Sequence, residues 1–257
     1  MRAWYFLIAL TAVAAMLPEA LAQKKKPDAK DRPQLVLADP FVVTAGKPTK
    51  ITLRGLRLDG ITELRCHEPK SGGRLQSTPA KSGVDAKFLN QLGDMQVQVE
   101  ITAAPELAGS DLVVSVVGEA GESSLLRLFV DDGGPTVPEK EPNNGFHHAQ
   151  PVPVSCVITG AIQNPHDVDV FRFEGQPGEQ LLLTVQAARY GSPLDPVLTV
   201  YDSRGQVLAV SDDTPRTENA QLRLTLPRAG GYFVALADSN DQGGALFKYR
   251  LQVAKGK

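Results

Sequence analysis

The chain has 257 residues, and its 27 Lys and Arg stand against 29 Asp and Glu for a formal net charge of −2. So slight an imbalance excludes the field that gathers nucleic acid or acidic lipid. Two cysteines exclude a disulfide-built scaffold, while 23 glycines and 19 prolines punctuate the chain about every ten residues, in the manner of a many-stranded β protein.

Residues 1–22 carry one early charge, Arg2, then an apolar run from Trp4 to Leu17, then the small-residue site Ala20, Leu21, Ala22. This is the layout of a secretory signal peptide, with cleavage expected before Gln23. The apolar run is shorter than the roughly twenty residues a bilayer requires, and Pro18 and Glu19 end it, so no membrane span is expected after cleavage. The first cysteine is Cys66, so none stands at the cleavage point for lipid attachment. The expectation is a secreted protein, periplasmic or extracellular. Residues 23–32 (QKKKPDAKDR) read as a disordered leader whose lysines are solvated.

Residues 33–130 form the first expected domain. ThrLysIleThrLeuArg from 49 and ValGlnValGluIleThr from 97 alternate apolar and polar groups, which sorts them to opposite faces of a strand. No long stretch has the spacing of a surface helix, and the segment around Lys87 to Leu92 has room for one helical turn. The opening, ProGlnLeuValLeuAlaAspPro from 33, then ThrAlaGlyLysProThrLysIleThrLeuArgGly from 44 and the Gly55 to Leu58 step, resembles the IPT/TIG group of immunoglobulin-like domains. That resemblance implies a β-sandwich and no chemistry. Cys66, His67 and Glu68 are consecutive, and neighbours on a strand point to opposite faces, which argues against one shared metal ion. Residues 131–138 (DDGGPTVP) break the strand pattern and read as the linker.

Residues 139–254 carry an ordered series of motifs. GluLysGluProAsnAsn (139–144) leads to Ala149, Gly160 and AspValAspValPheArgPhe (167–173). LeuAspProValLeuThrValTyrAsp (194–202), Gly205, Asp212 and Asp213 come next, then AlaGlyGlyTyrPheValAlaLeuAlaAsp (229–238) and TyrArgLeuGlnVal (249–253). The series resembles the bacterial pre-peptidase C-terminal (PPC) family, and the resemblance implies a jelly-roll-like sandwich appended to exported proteins. The residues read the same way on their own: Asp169, Phe171 and Phe173 share one strand face, and Tyr232, Val234 and Leu236 repeat the inward pattern. The fold class expected is therefore all-β, two antiparallel β-sandwich domains after a signal peptide.

The acidic opening suggests a site. Pro142 biases Glu141 to an extended backbone, and along an extended segment Glu139 and Glu141 point the same way. Their carboxylates and the side-chain oxygens of Asn143 and Asn144 converge, unfavourably unless a cation or backbone donors balance them. Ca2+ takes about six to eight oxygens, and Asp167 or Asp169 could complete the shell. In the collagen-binding relatives the resemblance implies calcium at the matching acids; His166 departs from that pattern. The alternative is solvated glutamates and asparagines that cap a turn.

No Gly-x-Ser-x-Gly elbow and no His-Glu-x-x-His motif occurs, and the four histidines, His67, His147, His148 and His166, lie in no recognisable catalytic pattern. Cys66 and Cys156, one per domain, leave open a bridge between domains or two buried thiols. The expectation is a non-catalytic accessory or binding protein that contacts an extracellular polymer or an exported protein, with Tyr190 in the ArgTyrGlySer turn as the contacting aromatic. A structural, export-assisting module and a protease-associated chain are the alternatives.

Overall fold

The computed structural model describes residues 29–84, 89–134, 136–212 and 220–256. The expected signal peptide and the leader as far as residue 28 lie outside the described residues, and Ala29–Asp31 form one 3-10 turn.

Ten strands build the first unit: β1 (Gln34–Asp39), β2 (Val42–Thr44), β3 (Pro48–Leu56), β4 (Ile61–Cys66), β5 (Gly72–Leu75), β6 (Ala80–Lys81), β7 (Met95–Thr102), β8 (Asp111–Gly118), β9 (Gly121–Glu122) and β10 (Leu126–Asp131). One sheet runs β1-β3-β7-β5 with β6 also on β7, and the other β2-β10-β8-β4 with β9 on β8. The alternating segments do what their period requires. Ile51 and Leu53 of β3 and Val97, Val99 and Ile101 of β7 share one core with Val114, Val116 and Leu128 of the opposite sheet. A single helical turn, α1 (Leu89–Leu92), precedes β7.

Ten further strands build the second unit: β11 (Thr136–Pro138), β12 (Gln150–Pro151), β13 (Cys156–Ala161), β14 (Val168–Gly175), β15 (Gln180–Gln186), β16 (Pro196–Asp202), β17 (Val207–Ser211), β18 (Gln221–Thr225), β19 (Gly230–Asp238) and β20 (Lys248–Lys255). Their sheets run β11-β13-β20-β15-β18 and β12-β14-β19-β16-β17. Phe171, Phe173, Tyr232, Val234 and Leu236 face inward as their spacing predicts, and Phe173 stacks on Tyr232 with centroids 5.7 Å apart. The pairing is not wholly antiparallel. The short strands β2, β11 and β12 lie parallel to β10, β13 and β14, at sheet edges where a brief returning segment needs only one neighbour.

The segment expected as linker is shorter than its composition suggested. Asp131 ends β10 and Thr136–Pro138 form β11, so both flanks satisfy their backbone groups within sheets, and the Asp131 Oδ1 accepts the Gly133 N–H at 2.8 Å to begin the turn.

The two sandwiches meet in a joint that sequence patterning did not reveal. Arg250 of β20 donates to the Asp131 carboxylate at 2.7 and 3.0 Å and to the Gln186 Oε1 at 2.9 Å, and its guanidinium lies 4.5 Å from the Phe129 ring centroid. Both partners of that ion pair are buried, at 7 and 8 % side-chain exposure. Tyr190, from the second unit, belongs to the core of the first: it stacks on Phe41 at 5.5 Å, meets Phe129 edge-on at 5.9 Å and donates its hydroxyl to Asp111 at 2.9 Å. Gly191 follows with φ +83°, and a Cβ there would stand 2.6 Å from the Val36 carbonyl oxygen, so only glycine lets this turn reach β1.

Candidate metal centre

The acidic opening follows directly from β11. The Glu139 N–H donates to the Thr159 carbonyl at 2.9 Å, which continues the alignment along β13 and aims the Glu139 side chain across that strand. There its Oε2 accepts the Ala161 N–H at 2.8 Å. This approach needs Gly160, because a Cβ at that position would lie 2.2 Å from the Glu139 Oε2 and 2.5 Å from the Tyr249 hydroxyl. Beyond the cis Glu141–Pro142 bond, Glu141 Oε2 accepts the Asn143 N–H at 2.9 Å, and the Asn143 carbonyl accepts from Val170 at 3.1 Å and Gly145 at 3.0 Å. The loop is thereby strapped to β13 on one side and β14 on the other.

Asp169 sits on the inward face of β14 beside Phe171 and is fully buried. Its Oδ2 accepts the Tyr249 hydroxyl at 2.6 Å. One carboxylate oxygen each from Glu139, Glu141 and Asp169 lie within 4.8 Å of one another, and among the described residues no other group of acids, histidines or cysteines comes together this way. Asp167, also buried, borders the trio: it accepts the Asn144 amide at 2.8 Å and the Gln163 N–H at 2.8 Å. Basic groups in the surrounding segments pair elsewhere, Lys248 with Asp39 and His166 with Asp241, each at 3.6 Å.

Glu141 is exposed and Glu139 half-buried, but Asp169 holds its carboxyl out of water beside them, which is costly for the charged form. Burial first, then the charges of Glu139, Asp167 and Glu141, lifts Asp169 to about 8 against the opposing Tyr249 hydrogen bond. Burial, with Glu141 and Asp167, raises Glu139 as well, although the Ala161 N–H counters it. Tyr249 is pushed well above the usual phenol by burial and by the facing carboxylates.

Two details test whether an ion fits. The Glu139 Oε1 is buried and has no hydrogen-bond partner. The fully buried Asn143 amide has two orientations: with its nitrogen toward the acids it donates to Asp169 Oδ1 at 3.2 Å and to Glu141 Oε2 and Asn144 Oδ1 at 3.3 Å, and with its oxygen toward them it sets lone pair against lone pair. The second orientation is favourable only with a cation among the oxygens. The available donors are all hard oxygens, the set that Ca2+ prefers.

Of the residues singled out from sequence, Glu139, Glu141, Asn143 and Asp169 meet, and Asn144 and Asp167 join at the border. Tyr249 and Gly160 lie in motifs read from the sequence, but their part in the cluster was not foreseen; nothing local marks it. His166 has a side chain 78 % exposed on the Asp241 side. Tyr190 is corrected: at 4 % exposure it is a joint residue rather than a surface contact, because its ring finds Phe41 and Phe129 of the other sandwich. Cys66, His67 and Glu68 diverge, with His67 on Ser115 at 2.9 Å and Glu68 holding the Val113 N–H at 2.8 Å. Both cysteines are free thiols, and burial raises Cys66 to about 11.

The family model of the bacterial pre-peptidase C-terminal domain matches residues 167–238, from the border acid Asp167 to the end of β19. The resemblance read from the motifs therefore holds over this stretch. A protein of Deinococcus radiodurans described as a probable subtilase-type serine protease is 31 % identical over 103 residues, which cover 39 % of this chain and 14 % of that protein. The chain thus spans about a seventh of that relative. Among solved structures, the pre-peptidase C-terminal domain of a Bacillus anthracis collagenase aligns at 14 % identity with a TM-score of 0.34, over 46 % of this chain and 99 % of that one. A periplasmic inhibitor of g-type lysozyme from Aeromonas hydrophila aligns at 12 % identity with a TM-score of 0.34, over 47 % and 100 %. No helix of the described residues is long and apolar enough to cross a membrane.

Proposed function

We propose that this chain is an exported, non-catalytic accessory or binding protein whose second sandwich takes up a calcium ion at Glu139, Glu141 and Asp169, with Asn143, Asn144 and Asp167 around it. The observation that carries the reading is the convergence of three carboxylates, one bearing a buried oxygen with no partner, at a place where no basic side chain among the described residues pairs with them. A divalent cation supplies the missing positive charge there and fastens the opening loop to β13 and β14. Differential scanning calorimetry of the full chain tests this: calcium should raise Tm by several degrees over an EDTA-treated sample, and Asp169→Asn should abolish the rise. An unchanged wild-type Tm at millimolar calcium rejects the site.

The partner is an extracellular polymer or another exported protein. With Tyr190 in the joint, the contacting aromatic is Phe146, 41 % exposed on the loop that follows Asn144, where its ring packs on Tyr201 at 5.0 Å and Phe233 at 4.7 Å. The partial match to a subtilase-type protease favours one second reading, a chain that works alongside a protease without cleaving substrate itself.

A further inference from the structure

A groove of about 720 Å³ lies between the two sandwiches, and none of Glu139, Glu141 and Asp169 lines it. Its walls are mostly apolar: Leu92 comes from the first unit, and Pro165, Ala245, Leu246 and Phe247 from the second. Gly243 and Gly244 carry no side chain into it. The size falls within the range of small-molecule sites, which also favour domain interfaces.

One wall is charged in an unbalanced way. Arg54 stands on β3 between Leu37 of β1 and Gln96 of β7, and it lines the groove. Its Nε is shut off from solvent and has no acceptor. Among the described residues its guanidinium has no ion-pair partner. The two acids that also line the groove are engaged elsewhere, Asp39 with Lys248 and Asp241 with His166, each at 3.6 Å. A guanidinium with its Nε–H left unmet beside apolar walls is an unfavourable arrangement, and a planar carboxylate is the partner whose two oxygens match the guanidinium fork. A single arginine suits one negative charge. A dianionic phosphate would lack donors there.

We propose that this groove binds a small amphipathic monocarboxylate, an apolar chain or ring on the order of ten carbons, whose carboxylate pairs with Arg54 and whose body lies against Leu92, Leu246 and Phe247. The ligand would touch both sandwiches at once.

The experiment is isothermal titration calorimetry of the full chain with decanoate and, separately, with its uncharged counterpart decanamide, accompanied by 1H–15N NMR of the same mixtures. Decanoate should bind saturably and about tenfold or more tighter than decanamide, with shift changes centred on Gly243, Gly244 and Phe247. Arg54→Met should bring decanoate down to the level of decanamide, and Leu246→Asp should weaken both. The absence of saturable decanoate binding, equal binding of the two probes to the wild type, or shift changes confined to other surfaces would each overturn the proposal. The wild-type comparison of the two probes decides the matter even where a variant folds poorly.

Discussion

Asp169 was carried out of water by the strand that places Phe171 and Phe173 in the core, and its chemistry follows from that position. A carboxyl with an ordinary pKa near 4 in the unfolded chain is held at about 8 in the folded one. Because the folded value is the higher, the native state binds the extra proton. The stabilisation this brings is complete below about pH 4 and is lost as pH rises through about 8. In EDTA, Tm should therefore fall between about pH 4 and pH 8 and level off above, and Asp169→Asn should flatten that fall. Saturating calcium should flatten it too, since a cation favours the ionised form. A wild-type Tm in EDTA that stays level across this range contradicts the assignment. The period-two spacing of Glu139 with Glu141, and of Asp169 with the phenylalanines, made most of the cluster legible in the sequence. Tyr249 was not, because the 80 residues that separate it from Asp169 are bridged only when β20 pairs beside β13.

At the scale of elements, the sheet β12-β14-β19-β16-β17 has a buried face that fills the core and an outer face that is unusually apolar. Phe146 lies across Tyr201 of β16 and Phe233 of β19, and Val207 and Val210 of the edge strand β17 are 56 and 59 % exposed. Aromatic anchors on such a face supply most of the energy when a partner covers it. If this face carries the proposed partner contact, retention on insoluble collagen, cellulose or cell-wall material should drop at least about tenfold in Phe146→Ala with Tm unchanged. Retention on one of these that survives the substitution would move the contact elsewhere. Strand alternation announced the inward residues here accurately, since one face of each strand must be apolar to close a sandwich. It was silent about Tyr190. A tyrosine between Arg189 and Gly191 reads as an exposed turn until the other sandwich supplies Phe41 and Phe129.

Across the whole molecule, the Arg250–Asp131 pair joins the two sandwiches in a place that water scarcely reaches. Removing one partner leaves the other charged and buried, so Asp131→Ala should cost about 3–5 kcal/mol in urea unfolding, whereas Asp131→Leu combined with Arg250→Met should recover much of that loss. A cost under about 1 kcal/mol for the single change would mean that the joint opens freely in solution. The same arginine belongs to β20, and β20 lies in the middle of its sheet, flanked by β13 and β15. The sheet β11-β13-β20-β15-β18 therefore cannot finish closing before residues 248–255 have been delivered. A protease that clips just ahead of Lys248 would take out a keystone rather than trim a tail, removing the middle strand of that sheet and the arginine of the joint, and leaving Arg189 and Tyr190 to hold the neighbouring sandwich.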